Sequence, residues 1–114
     1  MKPNSLEFIG DRVFGIAAIR LMELDFPEVA KGNFARYCQE LTTNDNFKRL
    51  ILNKKHTGYL HPNSVEVLVG DIYKKQGLEL AIMFAMRLLK QSKKYEEILM
   101  YNKPVIFNKL HTPD

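Results

Sequence analysis

The sequence predicts an all-α fold, and three observations predict it. Apolar residues recur at spacings of three and four along most of the chain. No stretch sustains the period-two alternation of a half-buried strand, and Val105-Ile106-Phe107 is too short to argue a sheet. The breaks between periodic runs carry glycine, proline or asparagine, which end helices and start turns.

In chain order, Leu6, Ile9, Val13, Ile16, Ala17, Leu21 and Leu24 mark the apolar stripe of a long first helix, with Arg20 and Glu23 off that stripe. Asn4 is placed to cap it, Glu7 stands where a capping box puts its acid, and Phe26-Pro27 ends it. A second helix after Gly32 carries Phe34, Tyr37, Cys38 and Leu41. A third restarts at Thr43 or Asn44 with Phe47, Leu50, Ile51 and Leu52. The segment NKKHTGYLHPN reads as loop. From Asn63 a fourth helix carries Val65, Leu68, Val69, Ile72 and Tyr73, until Lys74-Lys75-Gln76-Gly77 breaks it. LELAIMFAMRLLKQ follows as a strongly apolar helix. Its Met83, Phe84 and Met86 suit core or subunit packing, and Lys90, Lys93 and Lys94 suit its C-terminal dipole. The remaining KYEEILMYNKPVIFNKLHTPD extends as a short helix and turns irregular after Pro104.

The 114 residues suffice for one domain with one core. Apolar residues make up 46% and charged residues 26%, ordinary values for a globular protein, and the formal net charge of +4 permits a polyanionic partner without demanding one. Cys38 is the single cysteine, so no internal disulfide can form and a cytoplasmic or other reducing intracellular compartment is expected. No run approaches a membrane span, and charges at Glu7, Asp11 and Arg12 interrupt any signal-peptide core. His56, His61 and His111 lack metal-ligand spacing, which argues against zinc. Cys38, on a mixed helix face, reads as a packing residue.

Two acidic pairs remain. Glu7 and Asp11, four apart, share a helix face, as do Asn63 and Glu66, three apart. Two such helices packed together could offer four oxygen ligands to a hard cation such as Mg²⁺. Asn4-x-x-Glu7 and Asn63-x-x-Glu66 also fit capping boxes, which leaves a purely structural explanation open for both glutamates. Asp11, in mid-helix beside Gly10, has no capping task.

These same residues carry a resemblance. LEFIGDRVFG resembles the signature of the ribonuclease III family, commonly LEFLGDAVLG. FPEVAKGNFARYCQELTTN resembles the family's FP-x-x-x-E-G-x-L-x-x-x-R-x-x-L-V-x-N segment, and VEVLVGDIYKKQGLELA its second motif, in order and spacing from Asn4 to Leu89. The resemblance implies a ribonuclease III-like helical bundle, with residues 1–94 as the catalytic domain and 95–114 as a C-terminal tail. It implies an endonuclease that hydrolyses double-stranded RNA as a homodimer with Mg²⁺, or Mn²⁺ in its place. Carried over by position, the metal ligands are Glu7, Asp11, Asn63 and Glu66, the catalytic residues Asp11 and Glu66, and Phe8 packs against the partner subunit. Lys31, Lys54 and Lys55 are the candidate RNA contacts, with Lys48 and Arg49 beside them.

The departures are specific. Asn63 stands where the family has aspartate, which removes one negative charge, and Lys31 replaces the glutamate of the E-G pair. The helices that precede the family signature and the double-stranded-RNA-binding domain that follows the catalytic domain are expected to be lacking, which leaves RNA binding open to a separate subunit. The alternative that these departures favour is a dimerising, RNA-binding scaffold of the ribosome-associated kind. A third is a helical domain for heteromeric pairing.

Overall fold

A computed structural model describes residues 3–52 and 62–102, with side chains from 5–50 and 64–102. These residues form helices joined by short turns, with no strand among them, in the order α1 (Pro3–Asp25), α2 (Lys31–Leu41), α3 (Asn44–Leu52), α4 (Pro62–Gln76), α5 (Leu78–Lys90) and α6 (Lys93–Tyr101). The all-α expectation stands. None of these helices is long and apolar enough to cross a membrane. Lys54, Lys55, the three histidines and the segment after Pro104 lie outside the described residues, as does the side chain of Asn63.

α1 is the central element and packs most extensively against α4, then against α5. Its buried face is Val13, Phe14, Ala17, Ala18, Leu21 and Met22. That face is rotated from the expected stripe: Ile16 and Leu24 are exposed, while Phe14, Ala18 and Met22 are sealed. α1 is apolar around most of its circumference, so periodicity alone selects no face, and the neighbouring helices decide. The same holds on α4, where Val65 and Val69 are buried but Leu68 and Tyr73 face out. The core is completed by Phe26, by Leu41 of α2, by Phe47 and Leu50 of α3, by Ala81, Ile82, Ala85 and Leu89 of α5, and by Tyr95 and Ile98 of α6.

The junctions follow local chemistry. Pro3 and Pro62 each stand at the first helical position, where a missing N–H costs nothing. Asn4 and Asn63 therefore fall one residue inside the helices they were expected to cap. Thr43 caps α3 by accepting a hydrogen bond from the Asn46 N–H at 3.1 Å. The break between α4 and α5 is narrower than expected: α4 runs through Gln76, and Gly77 alone turns the chain at φ 93°, a backbone state that glycine adopts without strain.

Lys93 and Lys94 differ most from expectation. They do not finish α5 but open α6, where positive charge opposes the helix dipole. Lys94 is held there by Glu40 at 2.7 Å and Glu97 at 3.5 Å, and its backbone N–H donates to the buried Asn46 Oδ1 at 3.0 Å. Asn46 in turn donates to the Leu41 carbonyl at 2.8 Å, tying the end of α2 to the start of α6. Tyr95 donates its hydroxyl hydrogen bond to Asp25, which is 1% exposed and lies 3.7 Å from Lys90 Nζ. Packed helix thus continues past residue 94.

Ser92 joins the last two helices. Its fully buried hydroxyl donates to the Leu89 carbonyl at 2.7 Å and accepts from the Tyr95 N–H at 3.3 Å. Ser92→Ala leaves the Tyr95 N–H without its acceptor, while the Leu89 carbonyl keeps the Ser92 backbone N–H at 3.1 Å; it is expected to lower stability by about 1 kcal/mol, measured by urea unfolding. A loss below about 0.3 kcal/mol would mean that water replaces the hydroxyl.

Candidate functional site

The N-terminal part of α1 lies against α4, and a glycine stands on each helix where their backbones meet. A Cβ added at Gly10 would run into the carbonyl group of Glu66 and stand 2.9 Å from its Cα. One added at Gly70 would run into the carbonyl of Leu6 and stand 3.1 Å from its Cα. Gly10 facing Glu66 while Leu6 faces Gly70 makes the two helices antiparallel at this crossing. The first acidic pair is thereby brought alongside Glu66.

Glu66 is buried, at 6% exposure. Its carboxyl lies near enough to Asp11 to donate to it when protonated, and it feels the charges of Asp11 and Glu7. Asp11 is on the exposed side and Glu7 is half-buried. The capping explanation for Glu66 loses ground here, since its carboxyl engages a side chain of another helix. Arg12 lies 3.6 Å from Asp11 and stacks its guanidinium over the Phe8 ring at 4.5 Å. Phe8 itself is 58% exposed.

Burial is the main cause that raises the Glu66 pKa from 4.5 to about 7, followed by the hydrogen bond its protonated carboxyl donates to Asp11 and by the neighbouring carboxylate charges. The sign follows from linkage. A folded-state pKa above the unfolded value means that this group's stabilisation is full below about pH 4.5 and is lost as pH rises through about 7. A shift of this size corresponds to a loss of at most about 3 kcal/mol. The unfolding midpoint is expected to fall between pH 5.5 and pH 8, and Glu66→Gln to flatten that fall. An unchanged slope in the variant would assign the pH dependence to other groups.

The donor set is all oxygen, and crowded carboxylates are what a hard divalent cation relieves, so the residues fit Mg²⁺ or Mn²⁺ chemically. Glu7, Asp11 and Glu66 are drawn to one crossing, but among the described residues no group of three or more His, Cys, Asp or Glu side chains closes around a point as metal ligands. Lys31 opens α2 and is exposed. Cys38 is half-buried, and burial together with the Glu23 charge pushes its thiol up, the opposite of an activated nucleophile.

Sequence reasoning found the acidic residues but missed Gly10 and Gly70 as the pieces that bring them together. The signal available was a glycine in the middle of each helix, where glycine is unfavourable without a packing reason. Comparison with family models, curated proteins and solved structures gives no significant match to the chain.

Proposed function

We propose that this chain is a ribonuclease III-like, Mg²⁺-dependent endoribonuclease domain that hydrolyses phosphodiester bonds of double-stranded RNA and acts as a homodimer. The observation that carries the reading is the buried Glu66, whose carboxyl feels the charges of Asp11 and Glu7 from the facing helix. A protein interior admits such a carboxylate group at a cost, and cation binding is a function that explains it.

In this reading Glu7, Asp11 and Glu66 hold the cation, with the Asn63 amide oxygen as a weaker fourth donor or a holder of water. The bound cation would lower the pKa of a water and offset charge gathering on the phosphoryl group. The chain's own contribution is positional. The Glu66 backbone is packed against Gly10, and Asp11, nearer solvent, would orient the attacking water. Homodimerisation is supported by an apolar face on α1, where Phe8 and Ile19, the latter 47% exposed, are three turns apart on one side. The mildly basic balance of the chain suits phosphate contacts, with Lys31, Lys54 and Lys55 as the candidates.

The second reading is the dimerising RNA-binding scaffold. Asn63 and Lys31 favour it, because each replaces an acidic residue of the family pattern with one that is not acidic. One assay separates the two: a labelled RNA duplex incubated with the protein and Mg²⁺ or Mn²⁺. Cleavage with short 3′ overhangs supports the enzyme. A shifted but uncut duplex supports the scaffold, and cleavage gained on Asn63→Asp would then identify the missing charge. A protein that neither binds nor cuts the duplex would sink both. Addition of Mg²⁺ at pH 8 gives an activity-free check, since a cation held by the carboxylates raises the unfolding midpoint.

A further inference from the structure

The reciprocal contacts at the α1–α4 crossing are flanked by acid at every point. Gly10, which meets the Glu66 backbone, is the neighbour of Asp11. Leu6, which meets Gly70, is the neighbour of Glu7. The spacing is the same on both helices, 6 and 10 on α1 against 70 and 66 on α4. Gly15, on the same helix, has open space where its Cβ would stand, so the close approach at Gly10 is not repeated there.

We propose that Gly10 and Gly70 are positioning residues, which set the separation and axial register of α1 and α4 at which the Glu66 carboxyl meets Asp11 with Glu7 alongside. The inference rests on reading the carboxylates as a cation site, but its geometric part stands independently. Helices normally pack about 8–10 Å apart through side chains that can change rotamer. Here backbone meets backbone, so an added Cβ has no flexible group to displace and must move a helix. The backbone it would move at position 66 belongs to the residue whose carboxyl is buried. A slip of one residue along either helix turns its side chains by about 100°, which carries Asp11 away from Glu66. Glycine also weakens a helix interior, a cost that a crossing with no positional requirement would avoid by using alanine.

The test uses Gly10→Ala and Gly70→Ala, with Gly15→Ala and Val69→Ala as controls. Val69 is fully buried on α4, so its truncation weakens the fold without altering the backbone contact. All chains are studied at pH 8 in trimethylamine N-oxide, which favours the folded state. The readout is the coupling of Asp11 to Glu66: the midpoint shift on Asp11→Asn, taken with and without Glu66→Gln. The difference between those shifts is expected to fall by at least half in each glycine variant and to persist in both controls. Mn²⁺ affinity, measured by calorimetry, is expected to fall about tenfold or more in the glycine variants.

Full coupling in folded Gly10→Ala and Gly70→Ala chains overturns the proposal. So does failure of both to fold while Gly15→Ala folds, which would make the glycines a requirement of the fold alone. Lost coupling in a protein whose parent binds no Mn²⁺ upholds the positioning role and removes the cation reading, so the two stand or fall separately.

Discussion

Glu66→Gln is expected to lower cleavage of duplex RNA by at least about 100-fold while leaving the protein no less stable than its parent above pH 7. The two halves have one origin. Groups that merely support metal ligands are worth about 10–100-fold in affinity or activity, and a ligand itself is worth at least as much. The glutamine keeps the shape and an oxygen but gives up the charge that would hold the cation. Above pH 7 that charge is a liability to the fold, because Glu66 is buried and faces Asp11 and Glu7. Its removal relieves desolvation and like-charge repulsion together. Cleavage rates and unfolding midpoints on the same preparations decide the matter. Unchanged cleavage in the variant would take Glu66 out of the chemistry, and a variant destabilised at pH 8 would mean that the ionised carboxylate is a net structural asset.

Phe14→Ala is expected to cost about 3–5 kcal/mol, the largest stability effect of any single truncation named here. Phe14 is fully buried, and its ring centroid is 4.7 Å from that of Phe47 at an interplanar angle of 42°. It therefore joins α1 to α3, and its removal leaves a cavity bounded by two helices that cannot close independently. At roughly 4 °C per kcal/mol the midpoint falls by roughly 12–20 °C. Phe8, six residues earlier on the same helix, is the contrast. As an exposed side chain it should change the stability of an isolated chain by no more than about 0.5 kcal/mol on truncation. If Phe8→Ala makes the midpoint depend on protein concentration where the parent's does not, the residue serves a subunit interface. A Phe14→Ala midpoint within about 4 °C of the parent would show that α3 is not coupled to α1 through this pair.

What the sequence by itself determined is local. The helices over the described residues are written in three-and-four spacings. The α4–α5 break is written in Gly77, whose positive φ needs no partner elsewhere. The start of α3 is written in Thr43, whose hydroxyl bonds lie within three residues, to the Glu40 carbonyl and the Asn46 N–H. The four candidate ligands, Glu7, Asp11, Asn63 and Glu66, were legible as oxygen-bearing pairs because residues three and four apart on a helix share a face whatever surrounds them.

Tertiary structure decided what depends on residues far apart in the chain. A glutamate reads as a surface residue, yet Glu66 is buried where its backbone meets Gly10, 56 positions earlier in the chain. The buried face of α1 could not be read from a helix that is apolar on most sides; α4 and α5 select Phe14, Ala18 and Met22 over Ile16 and Leu24. The cationic start of α6 contradicts the dipole preference that placed Lys93 and Lys94 at the end of α5. It stands because Ser92 caps that helix, Glu40 and Glu97 hold Lys94, and Tyr95 reaches the buried Asp25. Helix propensity and capping act within one turn, whereas burial and charge pairing are properties of the packed chain. The carboxylate cluster belongs to the second kind, since it exists only where two helices meet without side chains between them.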